Sequence, residues 1–191
     1  MLFVIALLAI LATAIAAASG TFAANSGPET NRTNAAAMIQ IGQTLKMGVD
    51  RLMSRGNSMY AIDLNEANTS ANNALFAPGG GGLIPPAVTL SSNPASDAWI
   101  YTWGAIPNLG SGSEERLALL KVTQGVCDQV NVQGASLPSG APNSTALGNF
   151  NTTTNVTTTN WPSGLNGKML GCFNNSSGAS GTYFYQVLAI Q

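Results

Sequence analysis

The chain opens on an unbroken apolar run. Residues 1–18 read MLFVIALLAILATAIAAA, with Thr13 the only polar side chain. Such a run favours helix and, being apolar all round, has no wet face. Residues 19–28 (SGTFAANSGP) interrupt the pattern, because Gly20, Gly27 and Pro28 are poor interior helix residues. The interruption predicts a stretched or melted segment, with a plain flexible linker as the alternative. Helical periodicity returns over residues 30–55, where Met38, Ile41, Leu45, Val49 and Leu52 fall three and four apart. Thr30 or Thr33 is the expected cap at its start and Gly56 the stop at its end. The apolar stripe is expected to pack on a sheet.

Beyond Gly56 the pattern becomes short-range. Residues 57–82 look like connection, ending in LFAPGGGG. AWIYTW at 98–103 reads as a strand from its aromatics. RLALLKV at 116–122 is ambiguous. Ser111 with Glu114 resembles a capping box and favours helix; the preferred reading is a short strand, then a helix over 123–131 carrying Cys127. Residues 168–173 and 182–190 predict a closing antiparallel pair joined by NNSSGASG. Alternation in TYFYQVLAI is imperfect, which implies that both faces of the last strand are partly buried. Residues 134–164 are low in complexity, rich in Asn, Thr, Ser, Pro and Gly, and are not expected to build a core of their own. The predicted class is α+β: a long N-terminal helix, apolar in its first half and weakened between Gly20 and Pro28, on a small antiparallel sheet. The expected divisions are 1–28, 29–56 and a head at 57–191 with the insertion 134–164.

Composition narrows the function classes. Charged residues are 8% of the chain and the net charge is -1, so a basic nucleic-acid footprint is missing. Histidine is absent, which removes the commonest general base and metal ligand. The two cysteines, Cys127 and Cys172, read as one disulfide if the chain is exported, the alternative being two buried thiols. Two thiols without His or a CxxC spacing cannot complete a tetrahedral metal shell, so neither metal nor cofactor is expected.

Three readings compete for the apolar start. A secretory signal would carry a basic segment before its apolar core, and none is present. A membrane anchor needs about 20 apolar residues. The third reading is a helix that first sits in the membrane and is then drawn into a bundle of identical copies. An abrupt apolar start without basic flank suggests processing just before residue 1, so Met1 need not be an initiator. The assembly residues would be Met1, Leu2, Phe3, Ile5, Leu8, Leu11 and Ile15, with Ala12, Ala14 and Ala16–Ala18 keeping the helix thin for close approach.

Other motifs are weaker. The glycine run lacks the GK[ST] or GxGxxG context of a phosphate cradle and fits a tight loop needing positive φ. N-glycosylation sequons begin at Asn31, Asn68, Asn143, Asn151, Asn155, Asn174 and Asn175. A chain rich in Asn, Ser and Thr also generates such triplets by chance. Asn143, Asn151 and Asn155 are the candidates for N-linked sugar, and Thr153 and Thr158 for O-linked sugar. Without His, a nucleophilic Ser could use only Lys46, Lys121 or Lys168 as base, so catalysis is not expected. Asp50 and Arg51 look like a solvated or inter-subunit pair, and Glu114 and Glu115 like the entrance to an element. Trp99, Trp103 and Trp161 suit a ligand platform or, more commonly, a core or interface.

The first 55 residues resemble type IV pilins and pseudopilins: apolar processed start, weakened helix, amphipathic second half. LFAPGGGG, WIYTW, VCDQVN, GCF and YFYQVLAI are similar to segments of bacterial pilin-like heads. The resemblance implies a long helix with an antiparallel sheet on its C-terminal half and a bond between Cys127 and Cys172. As partners it implies copies of the same chain, the inner membrane before assembly, the pilus assembly machinery and a prepilin peptidase. The implied location is an extracellular filament with a membrane-inserted precursor. One departure stands out: the family usually has Glu at mature position five, where this chain has Ile5. That leaves register to packing alone, or marks a specialised subunit. Archaeal pilins, a pseudopilin of a secretion or DNA-uptake machine, and a membrane-anchored envelope binding module are the alternatives.

Overall fold

The computed structural model describes the backbone of residues 2–110, 114–140, 143–144, 147, 149–151, 154–156 and 161–191; side chains are described from Gly27 onward, except at 143–144. One helix, α1, runs Leu2–Ser54 with Pro28 inside it. Gly27 and Pro28 lie within the helix rather than in a break, and Thr30 and Thr33 are interior to it rather than caps of a second helix. A proline inside a helix removes one amide donor; the i→i−4 pattern resumes past it. Thr33 is interior to the helix, its hydroxyl donating to the Glu29 carbonyl at 3.0 Å. The C-terminus ends as expected: Gly56 takes φ 91°. Its N–H donates to the Met53 carbonyl at 2.9 Å and that of Asn57 to Leu52 at 3.3 Å. These two bonds close a Schellman motif.

Among the described residues the further elements are β1 (Ile100–Gly104), β2 (Glu115–Lys121), α2 (Gln124–Gln133), β3 (Asn143–Ser144), β4 (Leu170–Asn175) and β5 (Gly181–Ala189), with a 3-10 turn at Ser163–Leu165. Segment 116–122 is therefore strand rather than helix. Residues 98–99 precede β1 instead of belonging to it. The strand order is β1-β2-β5-β4-β3. The first four strands in that order pair antiparallel, while β3 joins β4 in parallel through Asn143↔Asn174 and Ser144↔Asn175.

Alternation along the central strands builds two cores. On one face Ala118, Leu120, Phe184 and Leu188 meet Ala35, Met38, Leu45, Val49 and Leu52 of α1 and Val126 and Val130 of α2. On the other, Leu117, Leu119, Phe173, Tyr183, Tyr185 and Val187 meet Leu147, Phe150, Val156, Trp161 and Leu165. The last strand is thus covered on both sides, as its sequence implied. Gly42 permits the close approach of α1: a Cβ there would lie 2.9 Å from both the Phe184 ring and the Gln186 side chain.

The low-complexity stretch builds no core of its own among the described residues, but it lends side chains to the core under the sheet. Four of its apolar side chains, Leu147, Phe150, Val156 and Trp161, are buried. Trp161 meets Tyr185 edge-on at 5.0 Å, and Phe150 meets Tyr183 at 4.9 Å. Its backbone also covers the sheet margins. Val156 donates to the Trp103 carbonyl at 2.7 Å, and the Thr102 hydroxyl donates to the Thr154 carbonyl at 2.9 Å along the free edge of β1. At the opposite margin β3 pairs with β4. Widely spaced anchors in a polar sequence thus make a strap that hides two strand edges.

Cys127 on α2 and Cys172 on β4 form a disulfide. Next to it the buried Asn131 side chain donates to the Cys172 carbonyl at 3.1 Å and accepts from the Cys172 N–H at 2.8 Å. It thereby mimics a neighbouring strand where β4 has none. At the entrance to β2, buried Glu115 accepts from the Ile106 N–H at 2.8 Å. Burial holds its carboxyl above the ordinary range, an effect that N–H donation from Ile106 and from its own amide opposes.

Four outcomes are expected. Replacing both cysteines by Ser should lower unfolding stability by up to about 4 kcal/mol for a closed loop of this size, read by denaturant titration. Proteolysis should then begin within residues 134–164. Because the folded chain keeps the Glu115 proton to higher pH than the unfolded chain, stability should fall as pH rises from about 4.3, the ordinary Glu value, through the raised folded value. Glu115→Gln should flatten that slope in pH-dependent melting. Finally, Gly42→Ala should destabilise by about 1–3 kcal/mol through overpacking. Gly27→Ala, with open space around the site, should instead raise helical circular dichroism; a melted segment there would leave it unchanged.

Candidate functional site

The candidate assembly element is α1. At the 1.5 Å rise of a helix its length is about 80 Å. Leu2, Phe3, Ile5, Leu8, Leu11 and Ile15 lie in its first turns; their side chains, and Met1 altogether, fall outside the described residues. Among the residues whose side chains are described, no helix is long and apolar enough to cross a membrane. The head takes hold of α1 at about Asn31. Gly125 of α2 lets the Asn31 side chain approach closely, and Gln133 donates to the Arg32 carbonyl at 3.4 Å. From there the stripe Met38, Leu45, Val49 and Leu52 is buried, with Ile41 half-buried.

The outer face of this half is mixed. Met47 is exposed, and Ile84 is 88% exposed beside a shallow cavity of about 260 Å³ bordered by Ile41, Thr44, Leu83 and Pro86. Asp50 and Arg51 do not pair with each other. Asp50 instead accepts from Lys46 one turn back at 2.6 Å, and Arg51 donates to the Gly81 carbonyl at 3.0 Å. Arg55 likewise donates to the Gly79 and Gly80 carbonyls at 3.0 and 2.7 Å.

These bonds explain the glycine run. Its carbonyls face two guanidinium groups at the end of α1, while the amides of Gly80, Gly81 and Gly82 donate to Ala77, Ala74 and Ala77 within the loop. A phosphate cradle needs those amides free. Only Gly82 has positive φ, at 68°; Gly80 and Gly81 are required because a Cβ would strike the carbonyls of Ala74 and Leu75.

The sequons divide by position. Asn175 is buried, its side-chain amide donating to the Ala179 carbonyl at 2.8 Å and its oxygen accepting from Leu147 at 3.1 Å. The Asn68 amide donates to Asp63 at 2.6 Å. Asn151 and Asn155 are exposed. The side chain of Asn143 and all of Thr153 and Thr158 lie outside the described residues.

A second cleft was not foreseen as a unit. Asp63, Leu64, Asn65 and Glu66 face Trp99, Tyr101 and Arg116 across a cavity of about 460 Å³. The Tyr101 hydroxyl donates to Glu66 at 2.9 Å; burial and the neighbouring carboxylate push its pKa far up. Arg116 donates to the Ile62 carbonyl at 2.9 Å and lies 4.2 Å over the Trp103 ring, which also stacks on Tyr60 at 5.1 Å. Burial lowers the Arg116 pKa, with Asp63 opposing. Of the three tryptophans, Trp99 and Trp161 are core residues and Trp103 is half-buried. Among the described residues there is no group of three or more His, Cys, Asp or Glu placed to hold a metal ion.

Comparison with known proteins returns no matching family model, curated protein or solved structure.

Proposed function

We propose that the chain is a structural subunit of an extracellular helical filament of the type IV pilin kind, assembled through its N-terminal helices. The observation that carries the reading is the division of labour along α1. Its second half is bound to the sheet and to α2, while the first eighteen residues have no polar face to turn to water. Lipid satisfies that surface before assembly, and identical helices satisfy it afterwards. Apolar burial against copies gains little over lipid, so extraction from the inner membrane falls to the pilus assembly machinery. The cross-linked head and its mostly uncharged polar surface suit crowded extracellular packing.

Electron microscopy of purified material is expected to show helical fibres made of this chain; dispersed particles alone would count against the proposal. Ile15→Asp places a carboxylate where assembly buries it without a partner, at a cost of several kcal/mol. Fibres should be lost while the head stays oxidised and folded. Fibres that persist in that variant would mean that the apolar run is not the polymerising element.

A further inference from the structure

The cleft formed by Asp63, Asn65, Glu66, Trp99, Tyr101 and Arg116 has no part in the assembly reading. We infer that it is a binding site for a neutral sugar of one or two pyranose rings.

Size comes first. Its volume of about 460 Å³ lies within the range of about 300–1,000 Å³ typical of small-molecule sites. The lining then selects the ligand. Two carboxylates repel anions, while the Arg116 guanidinium offsets part of their pull on cations. The wall is too polar for a hydrocarbon. A ring of hydroxyls suits it, because each O–H donates to a carboxylate while its oxygen accepts from the guanidinium or the Asn65 amide. The C–H face of a pyranose is apolar and suits the aromatic rings of Trp99 and Tyr101 in the wall.

The polar groups are held in place before any ligand arrives. Tyr101 fixes Glu66. Asp63 accepts from the Asn65 N–H at 2.8 Å and from the Asn68 amide at 2.6 Å. Arg116 is fixed by the Ile62 carbonyl and the Trp103 ring. Pre-organised donors and acceptors lose little entropy on binding.

The test uses the purified full-length chain and a panel of methyl glycosides of glucose, galactose and mannose, N-acetylglucosamine, and their β-linked dimers. Saturation-transfer difference NMR and tryptophan fluorescence are the readouts, with Nα-acetyl-lysine amide as the cationic control. At least one sugar should bind in the millimolar range or tighter, and the lysine derivative should not. Glu66→Gln and Asn65→Ala should each weaken that sugar by about tenfold or more without lowering the melting temperature. Asn65 is exposed, so its variant decides the matter if Glu66→Gln fails to fold. The inference is overturned if no sugar binds, if binding ignores both substitutions, or if the lysine derivative is preferred. Fibre formation is a separate readout, and its loss or survival does not bear on this site.

Discussion

A strand that is apolar on both faces cannot sit at the surface of a two-layer protein. Phe184 and Leu188 of β5 point one way, and Tyr183, Tyr185 and Val187 the other. Each set needs its own cover, and burying such side chains is worth about 1.5–3 kcal/mol apiece. Helices α1 and α2 cover the first set. The second set is covered by Ile106 of the β1–β2 connection and by the polar stretch between α2 and β4, whose anchors are placed far apart. The Cys127–Cys172 bond joins the two ends of that arrangement, tying a helix of one layer to the strand where the strap returns. Asn131, one turn beyond Cys127, then closes the exposed margin of β4.

The same constraint sets the role of α1. The head uses only the part of the helix from about Asn31 to Leu52, where Gly42 and Gly48 let it lie close to the sheet and to Leu75 and Leu83. On the proposed reading, the residues N-terminal of this grip are sheltered by copies of the chain, so that one helix serves contacts within the molecule and contacts between molecules through different side chains.

How much of this was legible in the sequence depended on whether the signal was periodic. The stripe from Met38 to Leu52 and the two-sided last strand could be read directly, and Gly56 marked the helix end. Local propensity overstates the break at Gly27 and Pro28, which lie within α1. Gly27 and Pro28 weaken a helix by a few kcal/mol at most, and they sit within a much longer helical run. The strap was missed for the opposite reason: Leu147, Phe150, Val156 and Trp161 have no common period, and their partners lie on strands far along the chain. Asn131 gave no signal and Glu115 showed only as the entrance to an element, since a buried polar side chain is recognised only by the backbone groups it meets. The cleft gathers residues from three separated segments. Of these, only Trp99 stood out as a candidate, while DLNEAN looked like ordinary connection.

Hydrogen–deuterium exchange over α1, measured on assembled material and on detergent-dispersed subunits diluted into water, addresses the central claim most directly. Amides before residue 27 should be strongly protected in the assembled state and exchange rapidly once dispersed, while those of the 35–52 stretch stay protected in both. Equal exchange of the early amides in the two states would contradict the idea that copies of the chain shelter one another through this helix.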